Sequence, residues 1–314
     1  MSNLSVNTIT DASGGSTASI NGLTPQASNM QPYNLIINGA MTVAQRGTSV
    51  TGSTAGAAFL TVDRFATHAS GATYNTSQQS VALNGETGLP VQFTKFLRYN
   101  PTTGANNCGV WQTIEGVDSV QGTHTLSFYA KGTNPAGGFL SLDLRQYFGS
   151  GGSTSVDQDT ITFSLTSDWQ RYTFIITPPS ISGKTIGASS YYRPFIKQPD
   201  ADTGTAAWTL DITGVQLEAG SSASSFAHEN VGDTLRKCQR YFEQLNGIVY
   251  GSYIGSFGAS YSTWFFSTEK RTAPTMNFLG TTGTAQNVST QSADVFASST
   301  YPRIGAGTTA SSEL

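Results

Sequence analysis

The sequence is short of charge, cysteine and histidine. Its 314 residues include 16 Lys and Arg, 19 Asp and Glu, 2 Cys and 3 His, and the formal net charge is −3. So few basic residues provide no cationic footprint for a phosphate backbone, and nucleic acid is therefore not an expected partner. The two cysteines, Cys108 and Cys238, neither define a disulfide framework nor have the spacing of a metal site.

Long apolar runs are missing as well. No stretch of about 18 apolar residues occurs, which is the length that a membrane-spanning helix needs. The N-terminus lacks the basic region and the apolar region of a secretory signal peptide. We therefore expect a protein that is made in the cytosol, without a membrane span and without an export signal.

Strong helix formers are few, whereas Gly, Ser and Thr abound, which favours an all-β protein with many turns. Several segments alternate strictly between apolar and polar residues, for example Leu126, Phe128 and Ala130, and residues 140–144. Such strands, separated by frequent turn residues, indicate an antiparallel sandwich or barrel. We predict a jelly-roll β-sandwich for residues 33–229, closed by a strand from Trp208 that is kinked at residues 213–214.

The spacing of apolar residues changes from that of a strand to that of a helix after residue 229. Apolar residues now recur at spacings of three and four, Asn230 is a plausible N-cap, and Asp233 lies in the first turn. These features predict a linking helix at residues 230–246. Its apolar stripe includes Leu235, Cys238, Tyr241 and Phe242, with Leu245 at the end. We expect Cys238 to be a buried free thiol.

This stripe has two interpretations. It would cover one end of the sandwich, or it would meet copies of itself around a threefold axis. We favour packing on the sandwich, because a lone short helix depends on tertiary contacts. Residues 247–314 show a further β pattern and predict a small C-terminal β domain, which is too small for an independent core and would pack on the jelly roll or on its own copies.

Residues 1–32 carry few apolar side chains and one charge, Asp11. One interpretation is a disordered leader. The other is an extended docking arm that adds a strand to a partner protein. We favour docking, with the apolar positions Leu4, Val6, Ile9 and Ile20 as the contact residues.

Several segments carry a family resemblance. The segments NLIINGAM at residues 34–41, LSFYAK at 126–131, WQRYTF at 169–174 and WTLDITGVQLE at 208–218 resemble the carbohydrate-binding jelly-roll modules. The last of these, followed by FAHENVGDTLRKCQRYFE at 226–243, resembles tail-fibre and related virion appendage proteins of tailed bacteriophages. The leader LSVNTI at 4–9, KRTAPT at 270–275 and ASSEL at 310–314 are similar to those proteins too. The resemblance implies a virion location and a homotrimer.

Aromatic residues are the candidate ligand-binding groups. Sugars stack their C–H faces on exposed Tyr or Trp rings. Adjacent residues on a strand face opposite sides, so one residue of each neighbouring pair must point outward. The candidates for weak carbohydrate binding are Tyr147, Tyr191, Tyr192 and Arg193. The alternative is that the outward ring packs on another subunit or loop. We predict that Trp111, Trp169 and Trp208 belong to the core.

No catalytic or metal constellation stands out. The histidines have no other ligand at metal-binding spacing, and no carboxylates are marked as a pair. Asp157 and Asp159 suit a solvated turn. Asp211 points outward on its strand, where the resembled modules often use an Asp for structural calcium, a role that stays open. We predict no enzyme activity, no cofactor and no metal.

We therefore predict a structural virion protein made in the host cytoplasm: a tail fibre or similar appendage whose jelly roll recognises a host-surface glycan. Its other partners would be virion proteins, bound through the N-terminal arm. One alternative is a head decoration or fibre protein with a spacer jelly roll and no sugar binding. A further alternative is a polysaccharide depolymerase, which requires two carboxylates about 5 to 9.5 Å apart in a cleft.

Overall fold

A computed structural model describes most of the chain. The described residues are 34–102, 107–200, 202, 204, 206–245, 249–250, 252–254, 259–278, 283–297, 303–304 and 308–314. The predicted docking arm, with Leu4, Val6, Ile9 and Ile20, lies outside them.

Two antiparallel sheets form a sandwich of jelly-roll type, as the sequence predicts. The first sheet has six strands in the spatial order β1 (Ser49–Ser53), β3 (Tyr74–Ser80), β4 (Lys95–Pro101), β13 (Thr209–Ala219), β7 (His124–Thr133) and β11 (Gln170–Ile176). The second has β10 (Ile161–Phe163), β8 (Leu140–Tyr147), β12 (Tyr191–Lys197), β5 (Gly109–Trp111) and β2 (Ala66–His68), with β6 (Ile114–Glu115) on β12 and β9 (Val156–Asp157) on β8. From β7 onward the chain alternates between the two sheets, which wraps it around one core.

The main core lies between the two sheets. Leu126, Phe128 and Ala130 of β7 face the leucines at 140, 142 and 144 of β8 across it, so the strict alternation in sequence correctly marks the inward faces. Trp208 is 1% exposed in this core, as predicted. Trp169 is buried in a smaller cluster, with Phe93 and Phe96.

The kink predicted in the closing strand is a β-bulge. The register between β13 and β7 shifts between Thr213 and Gln216, and Gly214 has a φ of 63°. A Cβ atom at residue 214 would lie 2.7 Å from the ring of Phe93, so this position needs glycine for its conformation and for the close contact.

The apolar run before Asn38 and Gly39 is typical of a short strand that ends in a turn, but the structure differs. Residues 34–41 form bends and a turn, not a strand, and the turn is at Asn38, whose φ is 61°. The physical reason is that the Asn34 side chain makes the hydrogen bonds to β13 that the backbone of a neighbouring strand would otherwise make. Its amide accepts a hydrogen bond from the Leu217 N–H at 3.0 Å and donates one to the Val215 carbonyl at 2.9 Å.

The α-helix is shorter than predicted. It spans Val231–Gln239, and the Asn230 side chain caps it by accepting a hydrogen bond from the Gly232 N–H at 2.8 Å. The Tyr241 N–H then bonds to the Cys238 carbonyl at 2.9 Å, which tightens the last turn and ends the helix. Phe242 starts strand β14 (Phe242–Gln244) instead of continuing the helical stripe.

Most of the predicted stripe nevertheless packs inward. Cys238, Tyr241 and Phe242 are buried, Leu235 is half-buried, and Cys238 is a free thiol as predicted. The Tyr241 hydroxyl donates to Glu115 of the sandwich at 2.8 Å. These contacts are with the sandwich, and the threefold interpretation stays a prediction.

The described residues of the C-terminal part form three small sheets. One has β14, β22 (Thr309–Ser311) and β18 (Thr275–Asn277) in the order β14-β22-β18, and another pairs β15 (Val249–Tyr250) with β21 (Arg303–Ile304). The third has the order β16 (Ser252–Ile254), β17 (Ala259–Phe265), β20 (Ser292–Ala297) and β19 (Gly283–Gln286).

A cluster of charges and rings attaches this part to the sandwich. We call Arg46, Arg64, Tyr241, Phe242 and Glu313 the joint cluster. Glu313 pairs with the buried Arg64 and, at 3.0 Å, with Arg46. The Arg64 guanidinium lies 3.4 Å from the ring centroid of Tyr241, and the Arg46 guanidinium lies 3.5 Å from that of Phe242. The end of the chain is therefore held on the sandwich by ion pairs and cation–π contacts.

None of the helices among the described residues has the length and apolarity that a bilayer crossing requires.

Candidate functional site

The outer face of the second sheet carries a row of large side chains. On β12, Tyr192 and Ile196 point into the core, so the residues next to each of them in the strand point away from it. The pairing of β8 with β12 then sets each outward residue beside a partner on β8. We call this row the outer strip; it contains Tyr147, Tyr191, Arg145, Arg193, Asp143, Phe195 and Lys197.

Two tyrosines form one end of the outer strip. Tyr147 and Tyr191 are opposite each other in the strand register, and their ring centroids are 4.8 Å apart with 33° between the planes. Both are half-buried and lie on the outer face of the sheet. They therefore provide a partly open aromatic surface.

The prediction for Tyr192 is wrong. This side chain is 0% exposed in the main core, and its hydroxyl donates to the Gln158 side chain at 2.6 Å. Burial raises the pKa of Tyr192 above its ordinary value. The reason is the two-residue period of the strand, which turns Tyr192 inward because Tyr191 points outward.

An aromatic floor lies further along the outer strip. The rings of Trp111 and Phe195 meet edge to face with 4.7 Å between centroids, and His68 lies 5.5 Å from Trp111. Trp111 is buried, as predicted, with 9% of its surface exposed; it lies in a small cluster with Ala66 and Phe195 that is separate from the main core. These rings line a cleft of about 450 Å³ together with charged and polar side chains.

Most of the charges around this cleft are paired. The Lys197 ammonium lies 2.8 Å from carboxylate oxygens of both Asp143 and Asp200. Arg145 donates to both carboxylate oxygens of Asp157, at 2.5 and 2.8 Å. The hydrogen bond from Arg145 outweighs partial burial and lowers the pKa of Asp157. Asp157 is solvent-exposed as predicted, with 60% of its side chain accessible, but it lies on the short strand β9 and in an ion pair instead of in a turn.

The carboxylates of Asp143 and Asp200 lie close together. Each carboxylate lies 2.8 Å from the same lysine nitrogen. The two carboxylates are therefore close enough together for the pair that a depolymerase requires. The ammonium of Lys197, however, stands between them and donates to both. A glycosidase pair needs one carboxyl that protonates the leaving group, and neither of these is arranged to do so.

Asp211 does not serve a metal. Arg98 donates to both of its carboxylate oxygens at 2.7 Å, and the Asp211 side chain is buried. This bidentate pair uses the acceptors that a calcium ion would need. Within the described part of the chain, no group of three His, Cys, Asp or Glu side chains is placed to hold a metal ion.

A second cleft, of about 350 Å³, lies between the turn at Asn38 and the start of the helix. Its polar groups already have structural roles. Asn230 caps the helix, and Lys237 pairs with Glu229. Burial lowers the pKa of His228, which packs 5.0 Å from Phe93. The outer strip is therefore the better candidate site, because it contains an aromatic floor and Arg193, which makes no hydrogen bond to any residue that the structure describes.

Sequence reasoning found Tyr147, Tyr191 and Arg193, and the structure brings them onto one face. It missed Trp111 and Phe195, together with the ion-paired residues at the rim, because their placement depends on strands that are far apart in sequence. The one local signal was the alternation of β12, which puts Phe195 on the same face as Tyr191 and Arg193.

No protein-family model matches the chain, and no curated protein matches it. Among solved structures, the chain is similar to the enzymatically active domain of tailspike protein 4 of bacteriophage CBA120, with 13% identity, 59% of this chain and 21% of that one covered, and a TM-score of 0.34. It is also similar to the N-terminal cellulose-binding domain of Cellulomonas fimi β-1,4-glucanase C, with 16% identity, 58% and 100% covered, and a TM-score of 0.30. A third similar structure is a cyclase from Fischerella sp. TAU. It is 12% identical, the match covers 61% of this chain and 100% of the cyclase, and the TM-score is 0.36. At these low TM-scores the likenesses carry no argument about function.

Proposed function

We propose that the outer strip binds a polysaccharide, and that the chain is a structural component of a phage virion, a tail fibre or similar appendage that recognises a host-surface glycan. The observation that supports glycan binding is the combination, on one open sheet face, of aromatic rings with charged and polar side chains. The virion role is supported by the sequence resemblance to phage appendage proteins.

The chemistry of the outer strip suits a sugar chain. Aromatic rings such as the Tyr147 and Tyr191 pair accept the C–H faces of a sugar ring, which are its least hydrated surface. Hydroxyl groups need donors and acceptors in fixed positions; Lys197 and Arg145 carry N–H donors, and the aspartates paired with them carry acceptor oxygens. Because these carboxylates are already oriented by their partners, little side-chain entropy is lost on binding.

The shape of the outer strip suits an extended ligand. Strand residues rise about 3.3 Å each, so the outward residues from Tyr191 to Lys197 cover roughly 20 Å of β12. A flat sheet face of this length accommodates several sugar units side by side. We therefore expect an internal segment of a polysaccharide to bind, and not a single terminal sugar.

Replacing Tyr191 with alanine tests the proposal. We expect Tyr191→Ala to weaken glycan binding by roughly tenfold, because an aromatic platform contributes about 1 kcal/mol or more to a stacked ligand. Binding is measured by titration of the full chain with oligosaccharides that a glycan array identifies. Phe265→Ala is the matched control, because Phe265 is an aromatic side chain 76% exposed in the C-terminal part, away from the outer strip.

Two results would contradict this proposal. If the full chain binds no member of a broad glycan array, the outer strip is not a glycan site. That result would favour the alternative of a head decoration or fibre protein with a spacer jelly roll. If the bound oligosaccharides are cleaved, seen as new reducing ends, the non-catalytic role is wrong, and the pair Asp143 and Asp200 becomes the candidate catalytic centre.

The assembly is tested by mass in solution. We expect the full chain and a variant that lacks residues 1–32 both to be trimers, because the arm is proposed to bind another virion protein and not to hold the trimer together. Three copies would raise the effective concentration of individually weak sugar sites. The measurement is light scattering after gel filtration. A monomeric full chain would contradict trimeric display and favour a single-copy decoration protein.

A further inference from the structure

Arg193 differs from the other charged groups of the outer strip. Lys197 pairs with two aspartates, and Arg145 pairs with Asp157. Arg193 has neither a hydrogen bond nor an ion pair with any described residue, and its Nε atom is buried without an acceptor. It is therefore a cation at the cleft whose hydrogen-bonding capacity is unused within the described part of the chain.

The position of Arg193 in the sheet places it next to a second positive charge. The strand register sets Arg193 directly opposite Arg145. Like charges in directly opposed positions destabilise a sheet. Asp157 neutralises Arg145 but makes no hydrogen bond to Arg193. The formal charges of the cleft balance, but the hydrogen-bonded carboxylates belong to Arg145 and Lys197, so Arg193 is the cation without a direct carboxylate partner among the described residues.

Two aromatic rings hold the Arg193 guanidinium in place. It lies 5.1 Å from the ring centroid of Trp111 and 5.4 Å from that of Phe195. These cation–π contacts hold the planar group without using its N–H donors. The Nε donor is closed to solvent, so the two terminal Nη groups, which are not buried, are the donors available to an acceptor that enters the cleft.

An arginine fork matches a carboxylate better than it matches a sugar hydroxyl. Two parallel N–H groups meet the two oxygens of a carboxylate in one plane, and such charge-assisted bonds are about twice as strong as neutral ones. Burial lowers the pKa of Arg193 and, together with the smaller effect of Arg145, outweighs the raising effects of Tyr191, Asp157 and Asp143. A directly bound anion would offset the effect of burial.

We propose that Arg193 binds the carboxylate of an acidic sugar, so that the outer strip selects polysaccharides with uronic or sialic acid residues. This inference rests on the proposed glycan-binding function and adds the class of ligand. The acidic ring would lie over the cleft beside Trp111, and the neutral sugars that follow it would extend along the outer strip toward Tyr147 and Tyr191.

The test compares ligands that differ only in the carboxyl group. Short oligosaccharides of polygalacturonate, alginate, hyaluronan and polysialic acid are each titrated into the full chain, beside the same oligosaccharide with its carboxyl groups reduced to alcohols. A set of neutral glucans and xylans is included. We expect at least one acidic oligosaccharide to bind roughly ten- to a hundredfold more tightly than its reduced counterpart.

Two variants of Arg193 complete the test. Arg193→Gln is expected to lower affinity for the acidic ligand to that of the reduced ligand, whereas Arg193→Lys keeps the charge but loses the fork and should be intermediate. Arg236→Gln is the matched control, because it removes the same positive charge from an exposed side chain on the helix. Without ligand, Arg193→Gln should raise the Tm by roughly 2 °C, since it removes an unpaired and largely buried cation.

The outcomes separate the two proposals. If the chain binds neutral oligosaccharides, or binds acidic and reduced forms equally, and Arg193→Gln changes nothing, the role of Arg193 is wrong while the glycan site stands. If no oligosaccharide binds to the full chain, both proposals fail. A loss of affinity in Arg193→Gln together with a lower Tm would indicate that the residue is structural, which would also overturn the inference.

Discussion

Replacing Lys270 with methionine is expected to destabilise the protein by about 3–5 kcal/mol, the usual effect of removing one partner of a buried ion pair. Lys270 is 1% exposed, and its ammonium donates to the Glu243 carboxylate and to the Gln239 carbonyl, both at 2.5 Å. Without it, the Glu243 carboxylate stays buried with no cation, and the carbonyl at the helix end loses its donor. The measurement is the free energy of unfolding from denaturant titration.

Two variants control the Lys270 experiment. Lys237→Met removes an exposed lysine whose ion pair with Glu229 is open to solvent, so we expect a change below about 1 kcal/mol. The double variant Lys270→Met with Glu243→Gln should recover part of the loss, because no unpaired charge is then buried. If Lys270→Met changes the free energy of unfolding no more than Lys237→Met does, the pair does not support the fold.

Replacing Trp208 with alanine is expected to destabilise the sandwich by a comparable amount, about 3–5 kcal/mol. Trp208 lies in the main core at the start of β13, where it packs against Tyr99 with 5.5 Å between ring centroids. Its indole N–H also donates to the Gln198 side chain at 3.1 Å. The substitution therefore leaves a cavity and removes the donor from a buried amide.

Trp208→Phe is the informative comparison. It keeps most of the ring volume and loses the indole donor, so we expect an intermediate loss. Phe265→Ala, at an exposed ring, should stay within about 0.5 kcal/mol of the parent. Calorimetry gives all three values. A Trp208→Ala protein as stable as the parent would show that the core assignment of this residue is wrong.

Together the two stability variants also test how the parts of the chain are coupled. If Lys270→Met and Trp208→Ala shift one common transition, the sandwich and the C-terminal part unfold as a unit, as the joint cluster suggests. If Lys270→Met creates a separate early transition, the C-terminal part unfolds independently of the sandwich, contrary to the expectation that it is too small for an independent core.

The helix shows where sequence reasoning ends. Its start followed from chemistry local to the first turn, because the Asn230 cap depends on residues two positions away. Its end did not. Phe242 continues the helical spacing, but the chain leaves the helix there because Phe242 finds a partner strand in β22 and a cation in Arg46. Both partners are distant in sequence.

The candidate site shows the same limit. Alternation in β12 separates outward from inward residues, but only one of Tyr191 and Tyr192 points outward, and periodicity alone does not say which. The core decides, because it takes up Tyr192 together with Leu142 and Ile196. Likewise, Asp211 was expected on the outward side of its strand, and the structure buries it there against Arg98.

The sequence by itself determined the class of the fold, most of the strands, the bulge at Gly214 and the start of the helix. These features depend on residue types within a few positions of each other, where steric and hydrogen-bonding preferences act directly. Only the tertiary structure decided which strands are neighbours, which sheet face stays open, and which charges are paired. The outer strip and the unpaired Arg193 depend on these three decisions, because they arise where strands distant in sequence are brought side by side.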